Sequence, residues 1–558
     1  MRKAKVLFTI LTASALALSA GCQSAAAVAS AADSTSVQVV TVQAAAAESA
    51  AVQLSTEAFS DRDLDASYDA SEAVTVDLST VTGDYTITTA GVYVFTGTLQ
   101  DGSIVVNAGE EDKVQIVLSN ASITNSDGPA IYAVAADKLF VTAEENNVNT
   151  LSDGSTYAED AFGNNPDGAI FARCDLTING TGSLTVNGNY KFGVVGKDDV
   201  VVANVSLNVT SVSDGIVGKD SVSIGSGTIS IVAGGDGIVS ENSEDATAGS
   251  VLIDGGTITI QTGGSGADSA KGVKAQAALV INGGDITIDA EDDALHSTTS
   301  VTVTNGTLRL SSGDDGIHSD DIIAISGGGI TISKSYEGIE GGAISISGGT
   351  INVVSSDDGF NAAGGADSSS SNGSRGNDAF AADTSKSLVI SGGTITVNAE
   401  GDGLDSNGTL TISGGTIYVS GPTASNNGAL DSGSTMTISG GIVVAAGSAG
   451  MAQTFDETST QASISYTFTS AQQAGTTISL KDASGNVIAT YTPDKTFQNV
   501  IISAPGLTTG QSYSLYTGST LVETIALSGV VTTIGSGNMA GGMNGSFGGQ
   551  RPGGGRRG

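Results

Sequence analysis

The run SSGDDGIHSDD, Ser311–Asp321, sets Asp314, Asp315, Asp320 and Asp321 around a single His318. Paired carboxylates at controlled separation can act as the acid and base of a glycoside hydrolase. Carboxylates joined by turn carbonyls can instead surround a hard cation such as Ca²⁺, which takes oxygen ligands. The same residues can also be one corner of a scaffold whose chemistry recurs. The choice depends on whether the stretch occurs once, as a catalytic pair would. It does not: the pair returns as Asp292/Asp293 and as Asp357/Asp358.

The elements behind this recurrence form a repeat. The recurring turn glycine falls at Gly193, Gly215, Gly237, Gly272, Gly316, Gly338, Gly359 and Gly403, with Ala294 in the same place. Most steps are about 22 residues. The step to Gly272 reads as one repeat with an insertion near Ser240–Ser250. The step to Gly403 reads as one repeat with a loop, because ADSSSSNGSRGNDAFAADTSKS has no strand pattern. Each repeat carries two period-two alternations, for example Val301/Val303 then Leu308/Leu310, followed by Ile323/Ile325 then Ile330/Ile332. Period two buries one face of a strand. A third, short strand holds the residue after the glycine: Ile216, Ile238, Leu295, Ile317, Ile339, Phe360 and Leu404.

Three strands in about 22 residues predict one coil of an all-β, right-handed parallel β-helix, in which stacking buries columns of like residues. We expect this solenoid over residues 61–450, with Val81–Ala108 capping its open end. Residues 451–534 lose the period and read as a small antiparallel β module, with a hairpin turn at Asp482–Asn486.

Stacking turns the acidic residues into columns. Before the glycine stand Asp214, Asp236, Asp292, Asp293, Asp314, Asp315, Glu337, Asp357, Asp358 and Asp402. Two residues after it stand His296, His318, Glu340, Asn361 and Asp405, with Asp320 and Asp321 just beyond His318. Carboxylates about 5 Å apart repel, so they hold protons or need a counter-ion. Ca²⁺ is the expected cofactor, with the richest zone from Asp292 to Asp321 together with Asp357/Asp358. The competing reading is turn chemistry, since Asp and Asn side chains bond their own backbone. His296 and His318, one repeat apart, should stack; zinc is disfavoured because no third nitrogen or thiolate ligand is evident.

Composition limits the partners. Asp and Glu number 58 against 21 Lys and Arg, a formal charge of −37, which argues against nucleic acid. The start, MRKAKVLFTILTASALALSAGCQS, has a basic region, an apolar stretch and Leu18-Ser19-Ala20-Gly21-Cys22. It reads as a lipoprotein-type signal peptide over 1–22, with Cys22 lipidated and the protein held outside the cell on a bacterial membrane. Ala/Ser-rich residues 23–60 read as a tether, and Gly-rich 535–558 as a flexible tail. Cys174 lacks a partner motif and is expected to be a quiet thiol.

The run Asp101–Ala133, then NTLSDGSTY, DGAIFARCDLTINGTGSLTVNGNYKFGVVGKDDV and the SGGTITV repeats, resembles a bacterial family of calcium-binding, pectate-lyase-like β-helix carbohydrate-binding proteins. The resemblance covers residues 70–450. It implies a secreted, non-catalytic protein that binds plant-cell-wall polysaccharide, cellulose or acidic pectic polymers, with Ca²⁺ on acidic coil residues. Val194, Val195 and Ala294 depart from that family's Asp-Gly-Ile turn pattern.

GDDGI also resembles part of the polygalacturonase pattern, but that family's Gly-His-Gly and Arg-Ile-Lys segments are missing here. Pectate lyases of this fold pair Ca²⁺ with a cationic base, for which Arg309, Lys271, Lys274 and Lys334 are candidates. Tyr336, Tyr190 and Tyr418 are candidate exposed platforms for sugar rings, with Phe171 and Phe360 assigned to the core. Tyr336, Arg309 and Lys334 are the residues most directly placed to touch carbohydrate. The alternatives are a calcium-stiffened surface rod and a polysaccharide lyase; a monomer is expected.

Overall fold

The computed structural model describes residues 58–264, 269–363 and 383–535. The expected leader, tether and tail therefore lie outside the described residues, apart from Ala58–Ser60 and Gly535. Among the described residues, helix is confined to Asp61–Leu64 and a single 3-10 turn at Leu78–Thr80. The rest is β: one 41-stranded, mostly parallel sheet and a separate four-stranded antiparallel sheet.

Strands pair with the next repeat rather than with their neighbours in sequence. Three ladders result. In the first, Leu279, Val301, Ile323, Ile344, Leu388 and Leu410 stand side by side. In the second, the column is Ile286, Leu308, Ile330, Ile351, Ile395 and Ile417. In the third, short ladder it is Leu295, Ile317, Ile339, Phe360 and Leu404. All of these side chains are buried in one continuous core. Each such aliphatic side chain contributes about 1.5–3 kcal/mol by leaving water. The arrangement is consistent with a β-helix. The long step to Gly272 spans one layer, since Ile238 pairs directly with Val273. So does the step to Gly403, since Phe360 pairs directly with Leu404.

Two glycine columns serve this stacking for different reasons. Between the first two ladders, Gly284, Gly306, Gly328 and Gly349 have φ of 98°, 107°, 84° and 88°, a left-handed backbone that favours glycine. The column beside the acidic residues is not left-handed. There a Cβ on Gly338 would lie 2.3 Å from both the Gly359 carbonyl oxygen and Val353 Cγ1. Close approach of successive layers, rather than turn geometry, requires glycine there.

The strands at Tyr85–Ile87, Gly91–Leu99 and Ile104–Asn107 join the same parallel ladders, Tyr93 pairing with Ile116 and Ile104 with Ile131. Outside the short ladder, Tyr132, Phe171, Val195, Val217 and Val239 form a second, separate apolar cluster. Phe171 is thus buried, as expected, but on the outer side of the ladder, whereas Phe360 lies in the main core. At the far end, Ile442–Gly447 receives the antiparallel strand Phe497–Ser503, which in turn pairs with Ser463–Gln472. The strands Ile478–Lys481 and Val487–Tyr491 form the expected hairpin, and Asp482 accepts the backbone N–H groups of Ser484 and Asn486 at its turn.

Candidate metal-binding edge

The acidic corner lies where the second ladder hands over to the short third ladder. The glycine admits the next layer, the following residue enters the core, and the one after it points outward. The register confirms the outward column Lys274, His296, His318, Glu340, Asn361 and Asp405. On the N-terminal side the same column reads Phe171, Val195, Val217 and Val239, so a single ladder changes from apolar to ionisable.

The carboxylates before the glycine do part of their work on the backbone. Asp214 accepts the N–H of Asp236 at 2.9 Å, and Asp236 accepts that of Lys271 at 2.7 Å. Asp293 accepts the N–H of Asp315, and Asp315 that of Glu337. Asp358 accepts the N–H of Asp402, and Asp402 that of Gly428. Each bond ties one layer to the next. These six carboxylates thus each use one oxygen on the backbone of the next layer rather than on their own turn, and the second oxygen remains to be neutralised.

In the middle of the edge the protein supplies its own cations. Lys271 Nζ lies 2.9 Å from Asp292 and 2.7 Å from Asp293, all three being buried. Lys274 lies 3.4 Å from Asp236. His296 Nδ1 is 2.8 Å from Asp293, and its ring stacks on His318 at 5.0 Å with planes 7° apart. His318 Nδ1 sits 3.0 Å from both Asp315 and Glu340, and its Nε2 is 3.2 Å from Asp320. Burial opposes protonation of His318, but hydrogen bonds to Asp315 and Glu340 and the charge of Asp293 push its pKa up to about 12. Burial raises Asp293 too, yet His296, Lys271 and His318 together bring it down to about 2. Burial and the charges of Asp293 and Glu340 push Asp315 upward. Both shifts favour a proton held by the His318–Asp315 pair, and it belongs to the pair rather than to either residue.

Two groups that could be imagined to hold a metal here are already occupied. Asp292, Asp293 and Asp314 bring ligand-capable oxygens within 4.8 Å of one another, but the Lys271 ammonium sits against the first two. Asp315, His318 and Glu340 also converge, but His318 Nδ1 already lies 3.0 Å from both carboxylates. Within the expected richest zone, Asp292 to Asp321 with Asp357/Asp358, the carboxylates Asp292 and Asp293 thus already have a Lys271 contact, and Asp315 and Asp320 a His318 contact. Asp321 is exposed at its margin.

Towards the C-terminus the described residues bring no further cation to the corner carboxylates. Glu337 is pushed well above the usual carboxylate range by burial and by the charges of Glu340, Asp315 and Asp358. Burial and the charges of Asp402, Asp405 and Asp357 raise Asp358 to about 9. Asp402 and Asp405 rise to about 7, again chiefly through burial, with Asp431 adding to both. Asp402, Asp405 and Asp431 place ligand-capable oxygens within 4.8 Å of one another. Among the described residues, no Lys, Arg or His forms an ion pair with Asp358, Asp402, Asp405 or Asp431. Two buried oxygens lack any hydrogen-bond partner: Oδ1 of Asp431, and Oδ1 of Asn361, which is the layer neighbour of Asp405. An all-oxygen donor set with orphaned buried oxygens fits a hard cation such as Ca²⁺. It does not fit zinc, which prefers nitrogen and sulfur.

Asp405, Asn361 and Asp431 complete this group, and only Asp405 and Asn361 stand in the repeat columns. Asp431 follows Leu430, which bridges to Leu404 in an irregular last layer that the period does not reveal. Lys271 had a legible signal, since it stands before Gly272 where other repeats carry a carboxylate.

The remaining predicted residues are spread over several surfaces. Tyr336 is half-buried at the corner, and its hydroxyl donates to Asp357 at 2.8 Å. Arg309 points outward from the second ladder and pairs with Asp285, at the strand's start, away from the acidic corner. Lys334 is exposed at the end of the neighbouring strand. Tyr190 and Tyr418 are less open than expected: Tyr190 stacks on Tyr157 at 4.4 Å, and Tyr418 on Tyr491 at 4.9 Å. Cys174 is buried, and burial with the charge of Asp175 lifts its thiol to about 12, so it carries no thiolate at neutral pH.

Comparison with known proteins decides the family. A family described as carbohydrate-binding domain-containing protein matches residues 82–269, 265–316 and 313–539, most of the chain. The chain belongs to this carbohydrate-binding family. A relative of the same description from Acetivibrio thermocellus is 36% identical over 124 residues, 22% of this chain and 43% of the relative. The chain thus spans less than half the length of that curated relative. A solved structure, a polysaccharide lyase-like protein from C. thermocellum as its gadolinium derivative, is 30% identical. It covers 45% of this chain and 96% of its own, with a TM-score of 0.38.

Proposed function

We propose that the protein is a calcium-dependent, non-catalytic binder of plant-cell-wall-type polysaccharide, built on a right-handed parallel β-helix of about 22-residue coils. Cellulose and acidic pectic polymers are the candidate ligands. Membership of a carbohydrate-binding family supports the general activity. The observation that carries the calcium dependence is the C-terminal part of the edge. There Asp402, Asp405 and Asp431 converge with two orphaned oxygens and no protein cation among the described residues. Asp358 and Asn361 stand one layer away and would complete the shell. Ca²⁺ there would neutralise the edge, and an acidic polymer could approach a chain of charge −37 only through such a cation.

The lipobox-like Leu18–Cys22 run supports a lipid-anchored monomer displayed outside the cell, in reach of insoluble polymers. The candidate lyase bases do not join the candidate metal group: Arg309 pairs with Asp285, and Lys271 is buried between carboxylates.

The test is pull-down on polygalacturonate and on cellulose with Ca²⁺ or with excess chelator. Calcium-dependent retention on polygalacturonate, lost in Asp405→Asn, is the expected result. Retention unchanged by chelator overturns the calcium bridge. Release of unsaturated, ultraviolet-absorbing products overturns the non-catalytic reading.

A further inference from the structure

The outward face of the second ladder carries almost no net charge. Its strands run from Ser206–Ser211 through Thr228–Ala233 and onward to Thr416–Ser420. Across these nine strands the only charges are Asp285, Asp289, Arg309 and Lys334, which cancel. The chain as a whole carries −37. A neutral face of this length within so acidic a protein leaves a polyanion nothing to bind and draws a polycation to the acidic edge instead.

The residues on this face are hydroxyls and amides in register. Its central column reads Asn208, Ser230, Thr259, Thr287, Arg309 and Thr331, then continues through Asn352 to Tyr418. A column beside it offers Thr228, Thr257, Thr307 and Thr350. Neighbouring strands stand about 4.8 Å apart, so donors and acceptors recur at that interval along the rod. Apolar side chains lie among them, with Val232 48% exposed and Val354 44% exposed. At the C-terminal end the face closes on the stacked pair Tyr418 and Tyr491.

We propose that this face is a binding platform for a neutral, extended polysaccharide lying along the rod axis, one layer meeting roughly each sugar residue. Hydroxyl and amide columns meet the polymer's equatorial hydroxyls, and the exposed valines meet its C–H faces. A neutral glycan needs no cation, so binding here is independent of Ca²⁺ and spatially separate from the acidic edge. The inference rests on the carbohydrate-binding reading and assigns a surface to it.

The test uses the full chain, microcrystalline cellulose as the probe, and excess chelator throughout. Thr287→Glu with Thr331→Glu places two charges on exposed positions flanking Arg309, which can pair with both, so folding is favoured. A second variant, Thr259→Val with Thr287→Val and Thr331→Val, removes hydroxyls without adding charge and suits a strand. Wild type is expected to bind in chelator, and the Glu variant to bind at least about tenfold more weakly. The Val variant should weaken binding as well, while both variants keep the wild-type melting response to Ca²⁺. Variants that bind cellulose like wild type overturn the platform and leave the carbohydrate-binding reading intact. So does a wild type that retains polygalacturonate in Ca²⁺ but not cellulose. Light scattering that shows the face buried in a dimer, broken by the Glu variant while cellulose binding persists, also overturns it. Wild type that retains neither cellulose in chelator nor polygalacturonate in Ca²⁺ overturns both readings.

Discussion

The ammonium of Lys271 lies 2.7 Å from the carboxylate of Asp293, and both side chains are buried. Asp292, 2.9 Å from the same nitrogen, shares it. A protein cation therefore stands where the acidic repeat would otherwise demand a metal. Removing one partner of such a group leaves buried charge uncompensated, which is more damaging than the pair is stabilising. Lys271→Met is expected to lose about 3–5 kcal/mol of folding stability. Part of this loss should return on adding Ca²⁺, because the vacated space is lined by oxygens. Urea denaturation with and without Ca²⁺ measures both effects. A loss below about 1 kcal/mol would show that Lys271 is not the counter-ion of this layer.

At the C-terminal part of the edge the expected response is reversed, since wild type itself should gain from the cation. Ligand at a hundred times its dissociation constant stabilises by about 2.7 kcal/mol. Denaturation in Ca²⁺ against chelator should reveal a gain of that order. Asp405→Asn and Asp431→Asn should each abolish most of it while leaving the chelated protein equally or more stable, because each removes a repelling charge. An undiminished calcium gain in both variants would move the site elsewhere on the edge.

Much of this was legible from periodicity, and the reason is physical. Buried columns demand like residues in register, so Ile317, Ile339, Phe360 and Leu404 declare the short ladder. Carboxylate columns are equally visible, but their electrostatic state is not. Whether Asp292 or Asp402 needs a metal depends on which cation reaches it in space. Lys271 reaches forward by one layer from behind an insertion, and Asp315 and Glu340 close on His318 from two different layers. Asp431 belongs to a layer without the repeat's spacing, so no alignment of coils places it beside Asp405. Periodicity thus reads the carboxylate columns but not which of their members a protein cation reaches.

The glycine beside the acidic column should tolerate almost nothing. A Cβ at Gly338 would meet the Gly359 carbonyl oxygen at 2.3 Å, a backbone atom that cannot swing aside. Overpacking of this kind costs about 1–3 kcal/mol, and Gly338→Ala should fall in or above that range. Ala294 shows that one layer has adapted to a methyl group at the equivalent place, where it is fully buried. Ala294→Gly should therefore be mildly destabilising rather than neutral, through lost packing and added chain freedom. Thermal melting of the two variants compares them directly. A Gly338→Ala protein as stable as wild type would show that the layers can part locally.

The raised carboxylates also fix how stability should vary with pH in chelated protein. Asp358 is held at about 9, and Asp402 and Asp405 at about 7, against roughly 3.9 for an unfolded aspartate. The folded chain then binds more protons than the unfolded chain between those limits, so unfolding free energy decreases as pH rises. This contribution is complete below about pH 3.9 and is lost as pH rises through about 7 and then 9. Asp293 runs the other way, being depressed to about 2; its contribution is lost only as the solution is acidified towards that value, outside the window. Bound Ca²⁺ favours the ionised carboxylates and should flatten the decline. Urea midpoints measured from pH 5 to pH 9 in chelator should therefore fall steadily, and the same series in Ca²⁺ should fall less. A flat profile in chelator would mean that these carboxylates are neutralised by another group, and the case for a metal among Asp402, Asp405 and Asp431 would fail.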